Sequence, residues 1–348
     1  MPPKPKTDNS AMQALKRDLR QGAPKNLYVF HGEEAYLREV YLGELRKAVL
    51  PAGLEDFNRR AAQGKDCSVE WLEQAVDYLP MMSERTLVEV TDFDLFASKD
   101  RQEKLAKLLA DLPDYCCVVF VYDLIPYKAD GRSRLAALLK EKQAVVEFQR
   151  QEQGDLTDWI VRRFKAAGHT IDTGDARYLI FLCGDLMNNL AAEIGKISAY
   201  AEHQRVTRED IDAVAIPVIE AVVFQMTDAM ARKDFDKAAS VLADLLHSQE
   251  APVMVLSVMG KYFRQLYTAR LGLERNMSRE EFMALWGMKN AYPADKIMDA
   301  ARRFSLPWCR YAVRRCAETD LALKTNYGRE GELLTALLVE LASGRRAA

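Results

Sequence analysis

The chain has 348 residues, enough for two or three domains with separate cores, and its 49 basic against 51 acidic residues leave a formal net charge of −2. That balance provides no general cationic field to drive phosphate-backbone binding by counterion release, which argues against a stand-alone DNA binder. No apolar run approaches the ~18 residues of a membrane span, and the Pro/Lys-rich start MPPKPKTDNS is unlike a secretory signal, so the cytoplasm is the expected compartment.

A tail and helix over 1–24 precede an alternation of strand-like and helix-like stretches across 25–150. LYVF runs into the amphipathic AYLREVYLGELRKAVL, and VEWLEQAVDYL into the strand TLVEV. RQEKLAKLLADL then leads to CCVVFVY, and GRSRLAALLKEK to AVVEF. Short, continuously apolar strands with helices between them predict a parallel sheet covered on both faces. Past Phe148 strand signals stop and the periodicity is helical, punctuated by Gly168, Gly174 and Gly184. GDLMNNLAAEIGKISAYA places Leu186, Leu190, Ile194 and Ile197 on one face with Asp185 as its expected cap. Thr207 to Asp210 reads as a cap opening a further short helix, and Pro217 interrupts the helical pattern beyond it. A boundary there divides a small helical domain, 151–214, from a larger one, 215–348. Helices of the larger one are expected near 219–231, 234–247, 251–274, 278–286, 293–304, 306–325 and 329–342.

Six cysteines (67, 116, 117, 183, 309, 316) show no CxxC pairing, and Cys116 and Cys117, adjacent in a strand, should point to opposite faces as reduced core residues. The histidines at 31, 169, 203 and 247 are scattered away from the cysteines. Neither a metal site nor a cofactor nor a catalytic group is expected.

The strand, glycine and helix of LYVFHGEEAYLRE imitate a phosphate-binding loop. A working loop needs G-x-x-x-x-G-K-[ST], so that backbone amides converge on phosphate, Lys neutralises it and a hydroxyl holds Mg²⁺. Counting from Gly32, the second glycine is Leu37, the lysine is Arg38 and the hydroxyl is Glu39. Glu33 and Glu34 add negative charge where an anion would lie, and instead complement a helix N-terminus. The apolar strand that should end in Asp-Glu reads RTLVEVTDFD, with Asp92 followed by Phe93, so the Mg²⁺-orienting pair is also broken.

These features, with LPMMSERTLVEV, YDLIPYKADGRSRLAALLKEKQAVVEF, CGDLMNNLAAEIGKISAYA, VTREDI, APVMVLSVMGKYFRQLYTARL, YPADKIMDAARRF and ETDLALKTNYGREGELLTALL, resemble the delta subunits of the bacterial DNA polymerase III clamp loader. The resemblance spans nearly the whole chain and rests on the order and spacing of the segments. It implies a RecA/AAA+-like α/β domain without ATPase activity, a helical lid and a C-terminal helical collar. It also implies partners: the beta sliding clamp, loader subunits of the delta-prime and gamma/tau type, and primer-template DNA only within that complex. A subunit of this kind, part of a DNA-directed DNA polymerase holoenzyme, would open the clamp without chemistry of its own. The alternatives are an ATP-hydrolysing loader motor and a DNA-binding replication adaptor.

By position, Leu79, Pro80, Met81 and Met82 match the family's clamp-binding segment, with Met-Met standing where the family often carries a Leu-Phe-like pair. Pro80 should stop the preceding helix at or before Leu79, leaving the methionines on a turn, and Met suits irregular pockets. Helix 68–79 and the loop after Met82 are expected to supply flanking contacts. Other features read as structural: Lys128, Arg132 and Arg134 as a solvated helix start, Phe263, Leu266, Tyr267 and Leu271 as a collar face, and DLALKTNYGREGELL as a subunit contact.

Overall fold

The computed structural model describes residues 10–248, 250–325 and 328–344. Parts of the N-terminal tail, of the KTNYGRE segment and of the GRRAA end lie outside the described residues. The chain divides into two compact units, Met1–Arg150 and Gln151–Ala348. Among the described residues no single helix is long and apolar enough to cross a membrane.

The first unit runs α1 (Ser10–Arg20), β1 (Leu27–His31), α2 (Ala35–Val49), α3 (Glu55–Asn58), β2 (Arg59–Gln63), α4 (Val69–Val76), β3 (Thr86–Thr91), α5 (Lys99–Ala110), β4 (Cys116–Val121), α6 (Arg134–Glu141) and β5 (Val145–Glu147). All strand pairings are parallel, in the order β2-β3-β4-β1-β5. Alternation along β4 assigns the two faces. Cys116, Val118 and Phe120 join a core with Leu72, Leu105 and Leu135 from α4, α5 and α6. Cys117, Val119 and Val121 join another with Leu15, Leu42 and Leu45 from α1 and α2. The adjacent cysteines therefore do part to opposite faces, and burial pushes the Cys117 thiol up to about 12, so it stays protonated. All six cysteines are buried and free.

One strand escaped the sequence pattern. RRAAQ carries no apolar alternation beyond two alanines, yet pairs along β3 from Arg59 opposite Leu87 to Gln63 opposite Thr91. Its charge suits the sheet edge it forms, where Arg59 and Arg60 are half-buried rather than enclosed in a core. Arg59 also has an inward task. It donates to Glu89 on β3 at 3.0 Å, and Arg46 of α2 donates to the same carboxylate at 2.9 and 2.5 Å. Burial pushes the Glu89 carboxyl up, but the hydrogen bonds from Arg46 and Arg59 together outweigh it and hold it below the usual range.

A folded-state pKa below the unfolded one gives stability that is present above the unfolded carboxyl value, about 4.3, and lost as pH falls through the folded value. Glu89→Gln is therefore expected to lower stability near neutrality by about 1.5–3 kcal/mol. The gap to the parent should narrow as pH drops below about 4, and unfolding curves at pH 7 and pH 3 check both points.

The second unit is helical: α7 (Gln153–Ala166), α8 (Thr173–Cys183), α9 (Met187–Tyr200), α10 (Arg208–Val214), α11 (Ile219–Ala231), α12 (Phe235–His247), α13 (Pro252–Leu273), α14 (Arg279–Trp286), α15 (Ala291–Ala301), α16 (Leu306–Thr325) and α17 (Glu330–Gly344). The expected absence of strands past Phe148 is corrected by a two-residue parallel pair, β6 (Thr170–Ile171) with β7 (Arg205–Val206). The expected Asp185 cap is also corrected: the N-cap of α9 is Leu186, without a side-chain cap bond, and Met187 is buried where Leu186 is only partly so. Thr207 and Asp210 do form a capping box on α10. Asn290, accepting from the Tyr292 amide, starts α15 two residues before the expected position.

Edge-to-face rings run from Phe181 of α8 to Phe224 of α11 at 5.2 Å, and on to Tyr262 of α13 at 5.7 Å. Phe263 then meets Trp308 of α16 at 5.8 Å, and the Trp308 indole donates to the Leu341 carbonyl at 3.2 Å. Phe263 and Leu266 are buried in this core and Tyr267 packs against it.

Candidate functional site

Two places in the first unit carry the candidate residues: the turn after β1, and the loop between α4 and β3.

At the turn, Gly32 has φ +122, and a Cβ built there would lie 2.3 Å from the Phe148 carbonyl oxygen. Its glycine is accounted for by the close passage of the chain beyond β5. Arg38, only 3 % exposed, donates to the Gly32 carbonyl at 2.8 Å and pairs with Asp123 after β4. The guanidinium standing where a phosphate loop has its lysine is thus engaged by the protein itself. Leu37 is half-buried and Glu39 exposed, while Glu34 is buried and accepts from the Tyr36 amide as the N-cap of α2. Glu33 pairs instead with Arg150 at 3.0 Å.

Asp92, with φ +56, accepts from three successive backbone amides, those of Asp123 and Leu124 at 2.8 Å and of Ile125 at 3.2 Å. Its carboxylate fills an amide nest of the kind that elsewhere captures an anion. Phe93, where the second acidic residue would stand, is buried 6.4 Å from the Phe120 ring. Burial also keeps His31, stacked on Tyr127 at 4.6 Å, below its usual range and so neutral near pH 7. The basic trio Lys128, Arg132 and Arg134 is exposed around the Ser133 cap of α6.

The second place is built differently. Helix α4 is capped by Ser68 and buries Leu72, Ala75 and Val76, ending at Val76, short of the 68–79 helix expected from sequence. Leu79 and Met82 are then exposed, at 66 % and 88 %, and Met81 at 48 %, while Pro80 is half-buried. Exposed methionine beside exposed leucine is the reverse of core packing.

The backbone beneath is tightly held. Asn58, at the end of α3 and fully buried, accepts from the Met81 amide at 2.7 Å and donates to the Met81 carbonyl at 2.9 Å. The same Asn58 amide also donates to the Leu54 carbonyl at 3.0 Å. The Tyr78 hydroxyl donates to the Met81 sulfur at 3.3 Å, and the Arg60 guanidinium covers the Tyr78 ring at 3.9 Å. Met82 has φ +53, a left-handed conformation that costs an unbranched residue about 1–2 kcal/mol.

Beyond it, the Ser83 hydroxyl accepts from the Arg85 amide at 3.3 Å. Arg85 donates to the Pro24 carbonyl at 2.7 Å and to Asn26 Oδ1 at 2.6 Å, tying the loop's exit to the chain entering β1. Met82 and Glu84 also line an open groove of about 600 Å³ shared with Lys47, Val49 and Pro51 at the end of α2. The sequence reading singled out the stretch 78–85 but carried no sign of Asn58, nor of the holding roles of Tyr78 and Arg85. Asn58 sits 23 residues from Met81, at the end of a one-turn helix and just before a strand without an apolar signature.

A family model described as "DNA polymerase III, delta subunit" matches residues 28–149, and one described as "DNA polymerase III delta subunit, C-terminal domain" matches residues 220–341. The chain is 24 % identical over 335 residues to the DNA polymerase III subunit delta of Bacillus subtilis (strain 168), covering 93 % of this chain and 95 % of that one. It is 25 % identical over 294 residues to the probable DNA polymerase III subunit delta of Aquifex aeolicus (strain VF5), with 82 % of each covered. The solved Bacillus subtilis DNA clamp loader delta protein superposes with a TM-score of 0.55 at 21 % identity, over 95 % of this chain and 99 % of that one, a likeness of fold. With two models of one family covering well over half of its length, this chain belongs to the DNA polymerase III delta subunit family.

Proposed function

We propose that this chain is the clamp-opening subunit of a DNA polymerase III clamp loader. It binds the beta sliding clamp through Leu79, Pro80, Met81 and Met82 and opens the ring in the cytoplasm for loading onto primed DNA, without hydrolysing ATP. The observation that carries the reading is the outward display of Leu79, Met81 and Met82 on a loop whose backbone Asn58 and Arg85 hold from both sides. The absence of hydrolysis is supported by the internal partners of Arg38 and Asp92, which engage the groups that would have to meet phosphate and Mg²⁺. Residues 151–214 serve as the lid, and 215–348 as the collar that meets subunits of the delta-prime and gamma/tau type. Primer-template DNA is met within that assembly.

Anchoring alone opens nothing. A ligand shifts an equilibrium only by its differential affinity for the two states, so surfaces beside the anchor must fit the open interface better than the closed one. The groove shared by Met82, Glu84 and the end of α2 adjoins the anchor and is suited to that task. The test is retention of the purified chain on immobilised sliding clamp without nucleotide, beside ATP turnover of the same preparation. Retention without turnover is expected. Turnover at a motor's rate, or binding that requires ATP, would overturn the reading.

A further inference from the structure

We propose that Asn58 is a positioning residue that presets the methionine anchor in its binding shape, so that the clamp meets a surface already formed. This rests on the proposed clamp contact and adds the device that makes it work.

The geometry is specific. Asn58 is fully buried, so a partner at the surface cannot reach its side chain. Its amide group pairs with both backbone groups of Met81, mimicking one rung of a sheet ladder, and its third bond, to the Leu54 carbonyl, fixes the plane of the amide. Met82 follows in the left-handed region, a conformation that a free loop of this composition would abandon for extended or right-handed backbone. It persists because its neighbours are held on either side: Met81 by Asn58, and Arg85 by the Pro24 carbonyl and Asn26.

Exposed apolar side chains on an untethered loop sample many arrangements, and the binding-competent fraction then scales the apparent affinity. Asn58 grips the loop through the Met81 backbone, so its bonds occupy neither methionine side chain: Met82 stays 88 % exposed for the partner, and the Met81 sulfur keeps its contact with the Tyr78 hydroxyl.

Asn58→Ala is expected to weaken clamp binding about tenfold, with the loss in the association rate constant and the dissociation rate constant within about twofold. In a Met81→Ala/Met82→Ala background the same substitution should change clamp affinity little, because Asn58 acts through the anchor. A loss of equal size in both backgrounds, or one carried by faster dissociation, would overturn the proposal.

A second measurement needs no variant. In the isolated chain, the Met81 amide should exchange with solvent at least about a hundredfold more slowly than an unstructured amide. Exchange at the unstructured rate would overturn preorganisation even if Asn58→Ala failed to fold. Failure of the parent chain to bind clamp, with the Met81 amide protected, would instead sink the clamp reading and leave the tether standing as a fact about the loop.

Discussion

Replacing Met81 and Met82 together by alanine is expected to weaken capture of the sliding clamp by about 30- to 1,000-fold while leaving the fold intact. Fully burying a methionine side chain contributes about 1.5–3 kcal/mol. Met82 is 88 % exposed and has nearly all of that to give, whereas Met81 is 48 % exposed and has about half. Together they offer about 2–4 kcal/mol, which converts to the stated range. The Met81 share carries a second consequence. Its sulfur accepts from the Tyr78 hydroxyl, so truncation releases that hydroxyl to water and stability should change by less than about 0.5 kcal/mol. Titrations of clamp against parent and variant, beside unfolding curves for both, check the two halves. Unchanged affinity would remove these side chains from the interface, and a large loss of stability would show them to be core.

How much of this was legible in the sequence depends on the distance over which each feature is determined. Period-two alternation within CCVVFV was enough to place Cys116 and Cys117 on opposite faces, because a strand buried on both sides imposes its pattern residue by residue. The broken phosphate loop was legible too, since Leu37, Arg38 and Glu39 fail against a local template. The internal partners of Arg38 and Asp92 were not. Arg38 finds Asp123 from 85 positions away, and Asp92 finds the Asp123 amide 31 positions on, and no local spacing announces either partnership. The methionine pair shows the same limit. Apolar residues beside a strand read as core in isolation, and only resemblance to a family pointed outward. The tether under them begins at Asn58, before an edge strand whose register depends on β3 and whose own residues carry no pattern.

Gly32→Ala should be a strongly damaging small substitution in the first unit, lowering its stability by about 2–6 kcal/mol. Two costs combine. A φ of +122 is strained for any residue with a Cβ, about 1–3 kcal/mol. The added carbon would also stand 2.3, 2.7 and 2.8 Å from the Phe148 carbonyl oxygen, nitrogen and carbonyl carbon, and overpacking of this kind costs about 1–3 kcal/mol more. Relief by a shift of Phe148 is blocked. Its amide donates to the His31 carbonyl at 2.7 Å, its carbonyl accepts from the Glu34 amide at 2.9 Å, and its buried ring packs edge-on against Phe30 at 5.1 Å. Gly53→Ala separates the two costs, because Gly53 also has a positive φ, +83, but open space around its Cβ position. Denaturant unfolding should show a loss of about 1–2 kcal/mol for Gly53→Ala and a clearly larger one for Gly32→Ala. Equal losses would mean that Phe148 does not dictate the glycine. A larger loss at Gly32, unaltered by added nucleotide, would assign this glycine to the close passage of two backbone segments, a requirement independent of any phosphate.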